Sequence, residues 1–288
     1  MRRLFASVFA LVVLLTLVPA AAADDAFVTL GVLPVSTKKE SWTIRGTAPR
    51  SQTVGVWVNG ELQVRVVSGP SMDRYLADVT LSPGENAIEV RLEGTEARAE
   101  GSIVRVTKAF KDLEKHWAKE DCEFLATLGI VNGMGNDEFG PDQPLTRAQF
   151  AKLVVLGLKL QADPAPVLSF TDDAAIPEWA KGFVATAVAK GLIKGFDDGS
   201  FRPDEQVSRA QVAVIAARGL RHKGIQSGSG KGRAFTDNAK IPAWATADVE
   251  FTATAGLIGE FWGEAFDANT SATRGLAAAV VRRLYSAK

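Results

Sequence analysis

The chain has one cysteine and two histidines in 288 residues, and each scarcity removes a class of protein. A lone Cys122 cannot form an internal disulfide or a cysteine-based zinc site, so the folded units must hold by packing. His116 and His222 stand far apart with no acidic cluster around them, which argues against a metal set or a catalytic triad. Excess charge is also missing: 33 basic residues meet 33 acidic ones, with no block of either sign, whereas a general nucleic-acid binder shows a basic face. Long apolar runs are confined to one place. Leu4–Val18 follows Arg2 and Arg3 and precedes Ala20–Ala23, a pattern that reads as a signal peptide over 1–23 with an A-x-A site at Ala21–Ala23. The run is short for a span of about 20 residues, so no membrane span is expected after cleavage, and the loss of Arg2 and Arg3 leaves 31 basic against 33 acidic residues.

What is present divides in two. Residues 24–107 contain short runs with period-2 alternation, SWTIRGT (41–47), TVGVWV (53–58), ELQVRVV (61–67), YLADVTL (75–81), NAIEVRL (86–92) and SIVRV (102–106), which predict strands. Asn59-Gly60 lies between two of them and predicts a two-residue hairpin, because both turn positions need positive φ. Six or seven strands in this length suggest a small all-β sandwich. The phrases from Lys39 to Asn59 and from Leu81 to Val90 resemble bacterial immunoglobulin-like modules.

From Lys108 onward helical spacing takes over, and the segment repeats. With Trp117, Trp179 and Trp244 as anchors, glycine follows at +12 (Gly129, Gly191, Gly256), phenylalanine at +22 (Phe139, Phe201, Phe266) and arginine at +30 (Arg147, Arg209, Arg274). Phe-x-Asp precedes each anchor, giving Asp112, Asp172 and Asp237. The repeats span 108–167, 168–226 and 233–288, with SGSGKG (227–232) before the last. Each predicts a helix near the tryptophan ending at the +12 glycine, a site for a left-handed C-cap, then a loop and a second helix. Thr146-Arg147-Ala148-Gln149 and Ser208-Arg209-Ala210-Gln211 match the capping box. In the third repeat Thr273-Arg274 is followed by Gly275-Leu276, Ala268 stands where Pro141 and Pro203 stand, and Glu260 replaces Gly133 and Gly195.

Phe-x-Asp, the tryptophan, Gly-Ile/Leu-Val/Ile, Gly-x-Phe-x-Pro and Thr/Ser-Arg-Ala-Gln together resemble the S-layer homology domain, in three tandem copies over about 108–288. The resemblance implies helix-loop-helix repeats in an all-α pseudo-threefold bundle. It also implies grooves between copies that bind secondary cell-wall polysaccharide through anionic, pyruvylated amino sugars. The expected function is non-covalent anchoring of an exported protein at the cell wall, without catalysis, metal or cofactor. Other surface-layer proteins are further expected partners. An alternative is a surface-layer lattice component or adhesin, with the sandwich as partner-binding module. A wall hydrolase is disfavoured because Glu40, Glu61, Asp73, Asp78, Glu85 and Glu89 give no convergent carboxylate pair.

Nine residues are the candidate polysaccharide site. Arg147, Arg209 and Arg274 sit at a helix first turn, where a cation opposes the macrodipole, so an anionic ligand meeting the guanidinium and the free helix amides is one reading. An ion pair with Asp112, Asp172 or Asp237 is the other. Trp117, Trp179 and Trp244 either stack on sugars or pack between helices, and the three aspartates either cap a turn or accept sugar hydroxyls. Cys122 aligns with Val184 and Val249, which marks a core position. Asp197-Asp198-Gly199 lacks the ligand alternation of a calcium loop.

Overall fold

A computed structural model describes residues 26–71, 73–228, 230 and 232–288; the expected signal peptide lies outside them. The chain forms two compact units, one ending at Thr107 and one spanning Lys108–Lys288.

Among the described residues of the first unit, seven strands form two sheets. They are β1 (Ser36–Thr37), β2 (Ser41–Thr47), β3 (Thr53–Val58), β4 (Glu61–Val67), β5 (Arg74–Thr80), β6 (Gly84–Leu92) and β7 (Arg98–Arg105). One sheet has the order β1-β7-β6-β3-β4 and the other pairs β2 with β5. Alternation decides which side chains go inside. Ile44, Ala77 and Val79 of the small sheet and Val54, Val56, Ile88 and Val90 of the large one share a single core. The hairpin between β3 and β4 turns on Asn59 and Gly60, at φ 53° and 82°.

The described residues of the second unit form six α-helices: α1 (Lys119–Thr127), α2 (Arg147–Gly157), α3 (Glu178–Ala189), α4 (Arg209–His222), α5 (Ala243–Thr254) and α6 (Arg274–Ser286). The +12 glycines Gly129, Gly191 and Gly256 take φ of 71°, 67° and 76°, the left-handed turn that stops each first helix. Thr146 and Ser208 complete capping boxes with Gln149 and Gln211, whereas Thr273 caps α6 through the Leu276 amide alone. Each first helix packs on the second helix of the preceding pair: α3 on α2, α5 on α4, and α1 on α6. The residues before the N-caps bond to one another in a closed triangle. The Leu145 amide donates to Ala272 O (3.2 Å), Ala272 to Val207 O (2.8 Å) and Val207 to Leu145 O (3.1 Å).

The expected fold class is corrected in both units. The first is not a simple immunoglobulin-like sandwich, since its five-stranded sheet is mixed: β1 runs parallel to β7 and covers an edge that would otherwise expose unpaired amides and carbonyls. The second is not an all-α pseudo-threefold bundle. Extended segments join its helix pairs through β-bridges Pro144–Thr273, Thr146–Gln206 and Ser208–Ser271. The third loop also departs from the other two, forming a 3-10 turn over Glu260–Trp262.

Candidate functional site

The first-turn arginines reach across to a neighbouring loop. Arg147 Nε donates to Phe201 O at 2.9 Å and Nη2 to Lys194 O at 3.1 Å. Arg209 donates to Phe266 O and Trp262 O, each at 2.6 Å, and Arg274 to Phe139 O at 3.0 Å and Asn132 O at 2.7 Å. The Phe-x-Asp carboxylates hold the same phenylalanines from the amide side. Asp112 accepts from Phe139 N (2.9 Å) and Gly140 N (2.7 Å). Asp172 accepts from Phe201 N and Arg202 N at 2.7 Å each, and Asp237 from Phe266 N (2.6 Å) and Asp267 N (2.9 Å). Aspartate and arginine therefore do not pair directly, as one sequence reading supposed. They clamp one buried phenylalanine between them.

The helix N-termini are engaged too. Arg147 N and Ala148 N donate to Glu205 O and Pro203 O, Arg209 N and Ala210 N to Thr270 O and Ala268 O, and Arg274 N and Gly275 N to Gln143 O and Pro141 O. The next amide of each helix bonds the N-cap hydroxyl. Free amides were half of the case for an anion at these arginines, and the neighbouring loop takes them up. Burial lowers the pKa of all three guanidinium groups.

Burial is the largest single influence on Asp112 and Asp237 and would raise the carboxyl pKa, but the backbone hydrogen bonds on each, aided by a neighbouring positive charge, together outweigh it and hold both below the ordinary 3.8. The depressed folded value makes this stabilisation complete above the unfolded pKa and lost as pH falls through the lowered one. In urea titrations the second unit is accordingly expected to lose stability progressively below about pH 4. Asp112→Asn is expected to flatten that dependence while lowering stability at neutral pH. An unchanged acid slope in the variant would show that this clamp does not titrate.

The tryptophans differ from the arginines in exposure: Trp117 is 49%, Trp179 50% and Trp244 60% accessible. Trp179 borders a cleft of about 210 Å³ that also meets Asn132, Gly133, Gln149, Lys152 and Arg274. Lys152 Nζ lies 5.9 Å from the Trp179 ring centroid, within cation–π range. Sequence reasoning missed Lys152, because its register holds Val214 and Ala279 in the other pairs and a comparison of repeats discards what does not recur. Cys122 is buried, and burial followed by the Asp121 charge pushes its thiol pKa far up, which removes the reactive thiolate. His116 Nδ1 accepts from Ala118 N, so Nε2–H faces Asp142 at 3.2 Å.

The second unit is thus a repeat-built module whose helix pairs are latched by arginine and aspartate and present exposed tryptophans, Trp179 beside a cleft. Residues 109–151 and 169–213 match the S-layer homology domain family. The chain is similar to the middle cell wall protein of Brevibacillus brevis, at 36% identity over 44% of this chain and 12% of the relative. Similarity to the surface layer protein of Brevibacillus choshinensis is 39% over 34% of this chain and 9% of that protein. A cellulosome-anchoring protein of Acetivibrio thermocellus is 29% identical over 56% of this chain and 36% of its own length. The chain thus spans only a minor part of each relative.

Proposed function

We propose that this chain resides at the bacterial cell surface and attaches non-covalently to the wall, with its second unit binding an anionic, pyruvylated secondary cell-wall polysaccharide. The cleft beside Trp179 carries the reading. It combines an exposed indole, an apolar wall of Ile130, Val131 and Leu153, and two cations, Lys152 and Arg274, the set a sugar ring bearing a carboxylate requires. The surface-layer and anchoring relatives agree with this role. By register the second helix pair has a corresponding groove at Trp244, with Arg147 and the exposed Lys194. The arginines act there mainly by shaping the loop, and Asp112, Asp172 and Asp237 act through the same loop. Residues 233–288 are read as a third, divergent copy, and several weak grooves on one chain add by multivalency.

The test is co-sedimentation of the chain with purified wall sacculi before and after chemical removal of the secondary polysaccharide. Binding is expected to disappear with the polysaccharide and to fall when Trp179→Ala and Lys152→Ala are combined. Undiminished sedimentation with stripped sacculi would refute the proposal.

A further inference from the structure

Trp117 is the only one of the three anchor tryptophans with a stacked aromatic neighbour among the described residues. Its ring lies 5.5 Å from that of Phe261 at an interplanar angle of 20°. Phe261 stands 17 residues after Trp244, where the other pairs have Met134 and Phe196. Met134 is 55% exposed, and Phe196 lies between Arg147 and Arg202, 4.5 and 4.0 Å from their Cζ atoms.

The cause is one position earlier. Gly133 and Gly195 run so close to the Phe-x-Asp phenylalanines that an added Cβ would come within 2.6 Å of Phe110 and Phe170. Glu260 occupies that position in the third pair, where the same approach would clash. Its chain instead winds into the 3-10 turn Glu260–Trp262. Trp262 enters the interior, stacks on Phe266 at 5.5 Å and donates its Nε1–H to Phe266 O at 3.2 Å. The adjacent Phe261 is thereby directed onto Trp117. Arg283, paired with Asp121 at 3.2 Å, holds Phe261 with its Cζ 4.2 Å from the ring centroid. The charges follow the same division. Lys152 and Lys194 serve the first two grooves, while the matching third-pair positions are Ala279 and Gly259.

We infer that the third groove is closed in cis, with Phe261 occupying the indole face that a sugar would use, so the chain offers two ligand stations, at Trp179 and Trp244. The inference rests on the wall-polysaccharide reading and assigns its stoichiometry.

The experiment is isothermal titration calorimetry of the full chain with a methyl glycoside of a 4,6-pyruvylated N-acetylhexosamine. The native chain is expected to bind two equivalents, Phe261→Ala three, and Trp244→Ala one. Trp117→Ala is expected to bind two with unchanged affinity. Three equivalents on the native chain would overturn the closure while leaving the wall reading intact, and so would a site lost in Trp117→Ala. Two equivalents on a Phe261→Ala chain with native circular dichroism would also overturn it. If that variant misfolds, the Trp117→Ala stoichiometry decides. No binding by the native chain would overturn both readings together.

Discussion

Arg147→Ala is expected to destabilise the second unit by about 2–4 kcal/mol, because two charge-assisted hydrogen bonds, typically about 1.5–3 kcal/mol each, disappear together. Arg147 is 5% exposed, and removal of its guanidinium leaves Phe201 O and Lys194 O without their donors. The packing of its flat face on Phe196 and Phe201 goes too. Arg147→Lys should restore only a fraction, since a single ammonium cannot reproduce a planar fork that reaches two carbonyls. Urea denaturation followed by circular dichroism measures the loss. Combining Arg147→Ala with Asp172→Ala should show coupling of about 0.5–3 kcal/mol, because both side chains hold the backbone of Phe201. A variant with native stability but weakened wall binding would contradict the clamp and restore a direct ligand role for the arginine.

Phe201→Ala is expected to cost more, about 3–5 kcal/mol. The ring is fully buried at 0% exposure and meets Phe170 at 5.3 Å. Truncation opens a cavity and also frees the peptide that Asp172 and Arg147 grip, so the loop should lose its position along with its core. Trp244→Ala, at a site 60% exposed, is expected to change stability by no more than about 0.5 kcal/mol. Thermal unfolding of the two variants side by side tests the contrast. Equal losses would mean that the loop is not organised around its buried phenylalanine.

Much of the local structure was legible because local rules govern it. Alternation located β2, β3 and β4 to the residue, Asn59-Gly60 marked the hairpin, and the Thr/Ser-x-x-Gln spacing marked the starts of α2 and α4. β1 was invisible, since two residues carry no period. The role of the arginines was half legible: their register announced a shared purpose, but the carbonyls they reach lie 54 and 57 residues onward for Arg147 and Arg209, and 135 back for Arg274. No spacing rule links such partners, so the helix amides looked free when the neighbouring loop already held them. The third pair's divergence could be read from Glu260 and Ala268, although its consequence, a phenylalanine laid on Trp117, required the path of the backbone.

Because the last pair completes the first, the second unit has no first half that can be finished alone. The loop around Phe139 waits for Arg274, Asp121 waits for Arg282 and Arg283, and the hydrogen-bonded triangle has only one of its three bonds until Ala272 exists. A chain emerging from the ribosome therefore holds its earliest helix pair unfinished until α6 appears. The same closure makes the joint between α6 and α1 the place where strain on α6 would open the unit.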